Sequence, residues 1–175
     1  MDPRTRYTGE PASAVLPGCG VPRRREARVT ILRNLHEAAG DWQGTNLMRM
    51  MPDDEYSPSA ATASVGVAAG GHAVTVAYTW SHEGEPQDGV LLVTAGREPG
   101  TAAVAWIDSW HQNPHWMVCE GRLGDDGDIR VEGSYGRDAG WRLRLGAAGG
   151  RSLRIAMDNL GPGMDYQVVD ASFSR

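Results

Sequence analysis

The sequence predicts an all-β protein: an up-and-down antiparallel β-barrel of about ten strands, preceded by one N-terminal helix. Three observations carry this. Short apolar or alternating runs recur at regular spacing after Gly40, turn residues separate them, and no helical period returns among them. The expected strands lie near 41–51, 60–69, 72–82, 88–96, 101–111, 115–121, 128–136, 140–147, 151–159 and 164–174. Turn signals between them include Gly70-Gly71, Glu83-Gly84, Asn113-Pro114, Gly149-Gly150 and Gly161–Gly163. A meander of that many strands curls and closes, which removes its exposed edges.

Ahead of the barrel, residues 1–22 are rich in Pro and Gly and poor in apolar side chains, and read as a disordered or loosely draped tail. From Arg23 to Ala39 the apolar residues Val29, Ile31, Leu32 and Leu35 take helical spacing, and Gly40 supplies the stop. The expected domain therefore runs over residues 23–175, the helix leading the barrel.

Composition limits the function classes. The chain has 175 residues, a net charge of −5, and 41% hydrophobic residues, enough for one domain with a substantial core. Through Gly40 there are seven Arg against four acids, and beyond it ten Arg against eighteen acids. An acidic barrel repels nucleic acid and anionic membrane surfaces, so neither is an expected partner. No apolar run approaches the length of a membrane span, and no apolar stretch follows the charged N-terminus as in a secretion signal. Two cysteines, Cys19 in the tail and Cys119 in a strand, read as free thiols of a reducing cytoplasm. Every basic residue is Arg, with abundant Ala and Gly, as GC-rich bacterial coding produces.

The last four strands alternate most clearly. Ile129, Val131 and Tyr135, then Trp141, Leu143 and Leu145, then Leu153, Ile155 and Met157, then Met164, Tyr166 and Val168 form the expected inward set. Arg130, Glu132, Arg142, Arg144, Arg154, Asp158, Asp165 and Gln167 take the opposite parity and face water. The segment from Trp106 to Glu120 is the richest in chemistry. A three-residue loop at 112–114 would set Trp110 opposite Trp116 and His111 opposite His115. Trp106, Asp108, Trp110, Trp116, Val118 and Glu120 would then share a face, with Ala103, Ala105, Ile107, Met117 and Cys119 on the other. Both faces are largely apolar, so the outer one would need covering by the N-terminal segment or by a second subunit, and a homodimer is compatible with the sequence.

Gly40-Asp41-Trp42-Gln43-Gly44 looks like the Gly-x-Trp signature of the calycin superfamily, which includes lipocalins and fatty-acid-binding proteins. The strand count and the leading helix agree with it, and Tyr78-Thr79-Trp80 and Asp108-Ser109-Trp110-His111-Gln112 resemble a bacterial calycin family of unassigned function. The resemblance implies that Trp42 closes one barrel end, often against an Arg. It also implies a ligand of the fatty-acid or aromatic-metabolite class. The chain departs from classical lipocalins in strand number and in lacking a C-terminal helix. It departs from small haem-binding calycins in having no His after His115, so haem is not expected.

The expected function is therefore binding of a small, hydrophobic or aromatic ligand in the barrel interior. The expected ligand-binding residues are Tyr78, Trp80, Trp106, Asp108, Trp110, Trp116, Tyr135, Trp141 and Tyr166. No cofactor, metal or catalytic residue is assigned. His111 and His115 read as solvated loop-end histidines, and a metal site would need a third ligand such as His82 or Asp108. The alternatives are an enzyme of the proton-transfer or isomerase type with Asp108 as acid or base and Tyr78 or Tyr135 as hydrogen-bond donor, and a structural dimer whose barrel is filled.

Overall fold

The computed structural model describes residues 32–124 and 126–175. The expected tail, the helix before Leu32 and Cys19 lie outside the described residues. A short helix α1 (Arg33–Glu37) precedes ten strands: β1 (Gly40–Met48), β2 (Ser57–Ala68), β3 (Ala73–His82), β4 (Glu85–Ala95), β5 (Thr101–Asp108), β6 (Met117–Leu123), β7 (Ile129–Ser134), β8 (Gly140–Ala148), β9 (Ser152–Leu160) and β10 (Tyr166–Ser174). Each strand pairs antiparallel with the one before it, and β10 returns to pair with β1, closing the barrel. No helix among the described residues is long and apolar enough to cross a membrane.

Period-two alternation sets the interior. Ile129, Val131, Trp141, Leu143, Leu145, Leu153, Ile155 and Met157 are buried, as their parity predicts, and join one continuous apolar cluster with Leu91, Val93, Val104 and Trp106. The opposite parity carries ion pairs, Arg142 to Glu132, Arg144 to Asp158 and Arg154 to Asp170. Two members of the expected inward set behave differently. Tyr135 and Met164 fall in the loops after β7 and before β10 and are exposed. In β10 a bulge between Gln167 and Val169 buries Val168 and Val169 together, and the inward parity continues through Ala171 and Phe173.

The β5–β6 hairpin departs from the sequence expectation. A three-residue loop would have paired Trp106 with Glu120, whereas Trp106 pairs with Met117, a shift of three residues. An odd shift reverses the facing of a whole strand. Met117 and Cys119 are buried instead, Val118 is 62% exposed and Trp116 54%. The physical reason is that β5 stops at Asp108 and the chain enters a wide loop, 109–116, rather than a tight turn. On the outside of the barrel, Leu92, Ala105 and Val118 now stand in one row across β4, β5 and β6.

The two barrel ends are built differently. At the first, the Trp42 indole N–H donates to Ala38 O at 2.8 Å, and the Arg175 guanidinium lies 4.2 Å over the Trp42 ring while donating to the carbonyls of Ala38 and Ala39. Leu32, Leu35 and Ala38 bury themselves there, so helix, tryptophan and C-terminal arginine form one plug. The seam beside it is tight: a side chain at Gly44 would place its Cβ 2.0 Å from Ser172 O on β10. The second end, the mouth, gathers loops 49–56, 83–84, 109–116, 135–139 and 161–165.

Trp42→Ala should lower stability by about 3–5 kcal/mol, the range for deleting a buried Trp, read as a shift of the denaturant midpoint. A second prediction concerns alkaline pH. Burial pushes the Cys119 thiol up to about 11, from 9.0. A raised folded-state value means that the stabilisation is complete below pH 9 and is lost as pH rises through 11. The loss should amount to about 2–3 kcal/mol, at 1.36 kcal/mol per pH unit, and Cys119→Ala should remove it from the stability–pH curve.

Candidate functional site

Asp108, the last residue of β5, organises the mouth. Its Oδ1 accepts the backbone N–H groups of Trp110 (3.0 Å), His111 (2.5 Å) and Gln112 (2.9 Å), turning the chain over the barrel end. Its Oδ2 accepts the Nδ1–H of His111 at 3.0 Å and the hydroxyl of Tyr78 at 3.3 Å. Five donors converge on one carboxylate whose side chain is fully buried. Only the acceptor-only anion satisfies all of them, so the carboxylate also fixes the proton of His111 on Nδ1. The Tyr78 oxygen in turn accepts the Trp106 indole N–H at 2.8 Å. Burial, reinforced by the Asp108 charge, holds the Tyr78 phenol well above its ordinary range, so it stays neutral and remains a donor.

A glycine makes this network fit. Gly89 pairs with Tyr78 on one side and with Asp108 on the other, so the three form a row across β3, β4 and β5. A Cβ at Gly89 would lie 2.6 Å from Asp108 Cβ and 2.6 Å from Tyr78 Cζ. Phenol and carboxylate meet over the backbone of β4 because no side chain separates them.

Aromatic rings enclose the histidine. Trp80 stacks on His111 with centroids 5.8 Å apart and planes 25° apart, and Tyr78 stacks on Trp80 at 5.5 Å. Trp141 meets His111 edge-on at 5.4 Å, and Trp106 meets Trp141 edge-on at 5.6 Å. Within this cage two buried polar atoms, His111 Nε2 and Trp80 Nε1, have no hydrogen-bond partner among the described residues. Such groups are uncommon in protein interiors and costly. Outside the cage the mouth is rimmed by exposed Met50, Met51, Trp110, Trp116, Tyr135 and Met164. Trp110 leans on His82 with centroids 4.4 Å apart.

Of the residues expected from sequence, Tyr78, Trp80, Trp106, Asp108 and Trp141 come together in the cage. Trp110, Trp116 and Tyr135 stand on the rim rather than on the inner wall, because the loops carrying them lie beyond the strand ends. Tyr166 is committed elsewhere, donating to Met50 O at 2.7 Å. Sequence reasoning missed His111, read as a solvated residue opposite His115. Its side chain is 6% exposed and turned to Asp108, while His115 is exposed. The signal was Asp108 three residues before His111, a spacing at which a carboxylate can cap the turn and hold the ring. Among the described residues no three His, Cys, Asp or Glu side chains gather as a metal site.

A closed ten-stranded meander with one end plugged and a polar pair caged in aromatic rings at the other defines an up-and-down barrel protein with a single built mouth. The chain belongs to the family described as protein of unknown function (DUF1579), whose pattern it matches over residues 32–174. Solved structures that share the fold include two of low sequence identity. The crystal structure of Rv2717c from M. tuberculosis aligns with a TM-score of 0.59 at 14% identity, covering 83% of this chain and 96% of that one. The S-type phycobiliprotein lyase CPES from Guillardia theta aligns with a TM-score of 0.54 at 13% identity, covering 89% and 96%. No curated protein matches the chain.

Gly89→Ala should force Tyr78 off Asp108 and destabilise the protein by about 1–3 kcal/mol, the usual cost of overpacking. Asp108→Asn should turn its amide N–H toward His111 and move the ring proton from Nδ1 to Nε2. The ¹⁵N chemical shifts of the two His111 nitrogens should exchange character relative to the unsubstituted protein.

Proposed function

We propose that the protein binds a small, mostly apolar and aromatic molecule at the barrel mouth, seated among Trp80, His111, Trp106 and Trp141. The observation that carries this reading is a pair of buried polar atoms without a partner among the described residues, His111 Nε2 and Trp80 Nε1, on two rings stacked in an aromatic cage. Ligand sites combine apolar walls with a few placed polar groups, and this cage has that composition. The exposed apolar rim supports entry from the same end. The Trp42–Arg175 plug supports the calycin resemblance, which implies the same ligand class. The polar anchors in this reading are His111 and Trp80 rather than Asp108, whose oxygens are already engaged by five donors.

The test is titration with N-phenyl-1-naphthylamine, an apolar fluorescent probe, following quenching of tryptophan emission. Saturable one-to-one binding is expected, weakened at least tenfold by Trp80→Ala or Trp141→Ala. Arg130→Ser, on the outer wall, should leave it unchanged. Absence of saturable binding, or binding indifferent to both tryptophan substitutions, would refute a site at the mouth.

A further inference from the structure

We infer that the mouth takes a weakly acidic hydroxyl compound, a phenol or an enol, and removes its proton with His111. This rests on the binding reading above and specifies the chemistry of the same site. Trp80 Nε1–H can only donate. With Nδ1 protonated and held by Asp108, a neutral His111 presents a lone pair at Nε2 and can only accept there. The two rings stack on each other, centroids 5.8 Å apart, so both unpartnered atoms belong to one cluster. An oxygen that accepts from Trp80 and donates to His111 satisfies both, and that oxygen is a hydroxyl. A carbonyl or carboxylate oxygen has no proton to offer a neutral imidazole.

Asp108 orients the histidine so that Nε2 is the nitrogen left to receive the proton. Transfer breaks the ligand O–H bond, leaves its electron pair on oxygen, and forms the Nε2–H bond; nothing is oxidised or reduced. The imidazolium that results keeps a charge-assisted Nδ1–H bond to Asp108. Asp108 does not take the proton itself, because Trp110, His111, Gln112 and Tyr78 occupy its oxygens as donors. The new anion stays on an oxygen that receives the Trp80 N–H and the Nε2–H. The site's net charge is unchanged, which suits a buried place where an added lone charge is costly. An aliphatic alcohol is too weak an acid for this exchange, whereas a phenol, with a pKa of about 10 or less, is not. The Trp106 and Trp141 rings offer an aromatic ligand walls of its own kind.

The experiment adds 4-nitrophenol to the full-length protein about one pH unit below the dye's own pKa, where the free dye is mostly colourless phenol and the phenolate is yellow. The expected result is a visible phenolate band that rises with protein and saturates at one equivalent, together with tryptophan quenching. His111→Gln should reduce the band at least tenfold. Trp80→Phe, which removes the indole N–H while keeping an aromatic ring at the position, should weaken dye affinity several-fold and keeps the test informative should the histidine variant unfold. Asp108→Asn, folding checked by circular dichroism, should lose band intensity more than quenching. Saturable quenching without the band overturns the proton transfer and leaves the binding reading standing. A band that survives in His111→Gln, or tighter binding of 4-nitrobenzoate than of 4-nitrophenol, also overturns it. Failure of both 4-nitrophenol and N-phenyl-1-naphthylamine to bind removes the two readings together.

Discussion

The Asp108 carboxylate is the group on which the mouth depends. A buried anion is tolerated only when its oxygens are fully engaged, and here three backbone N–H groups, a phenol and an imidazole engage them. Hydrogen bonds to a charged group contribute about 1.5–3 kcal/mol each. The same contacts do structural work of several kinds. They end β5, shape the 109–116 loop, orient Tyr78 under Trp106 and set the tautomer of His111. Without the carboxylate the loop would lose its cap and the histidine its orientation at once.

The barrel divides its polar groups between its ends. At the plug, the Trp42 indole N–H and Arg175 Nη2 donate to the carbonyls left free where α1 ends. At the mouth, Trp80 and His111 have a comparable mixture of aromatic surface and polar atoms, yet Trp80 Nε1 and His111 Nε2 have no partner among the described residues. Both ends use large amphipathic rings, and each leaves a buried imidazole nitrogen without a partner among the described residues, His36 Nε2 on α1 and His111 Nε2 at the mouth. The mouth differs in that two such atoms, Trp80 Nε1 and His111 Nε2, sit on rings stacked against each other.

Much of the fold was legible in residue patterns, and the reasons are physical. Alternation in Trp141, Leu143 and Leu145 against Arg142 and Arg144 leaves one sensible facing, and burial and ion pairing follow it. The β5–β6 hairpin was not legible, because both of its faces are apolar and either register buries a reasonable set. The deciding contact was local, the capture of three backbone N–H groups by Asp108, and no periodicity reports it. The bulge in β10 escaped for a related reason, since Val168 and Val169 are alike and either could be inward. In the site, the aromatic residues were visible as types, whereas rim and cage were separated by where strands end. His111 was hidden by its loop position, which ordinarily means solvent.

The side-chain gap at Gly89 has a consequence for how the sheet finds its pairing. Tyr78 and Asp108 belong to β3 and β5, which are second neighbours, and their bond passes over the strand between them. It is a stitch that skips a row. If β4 slipped by one residue, Asp88 or Val90 would take the place of Gly89, and the opening for the stitch would be lost. Pairwise ladders check each strand only against the one beside it. This bond checks three at once, and so couples the assembly of the mouth to correct alignment of the wall that carries it.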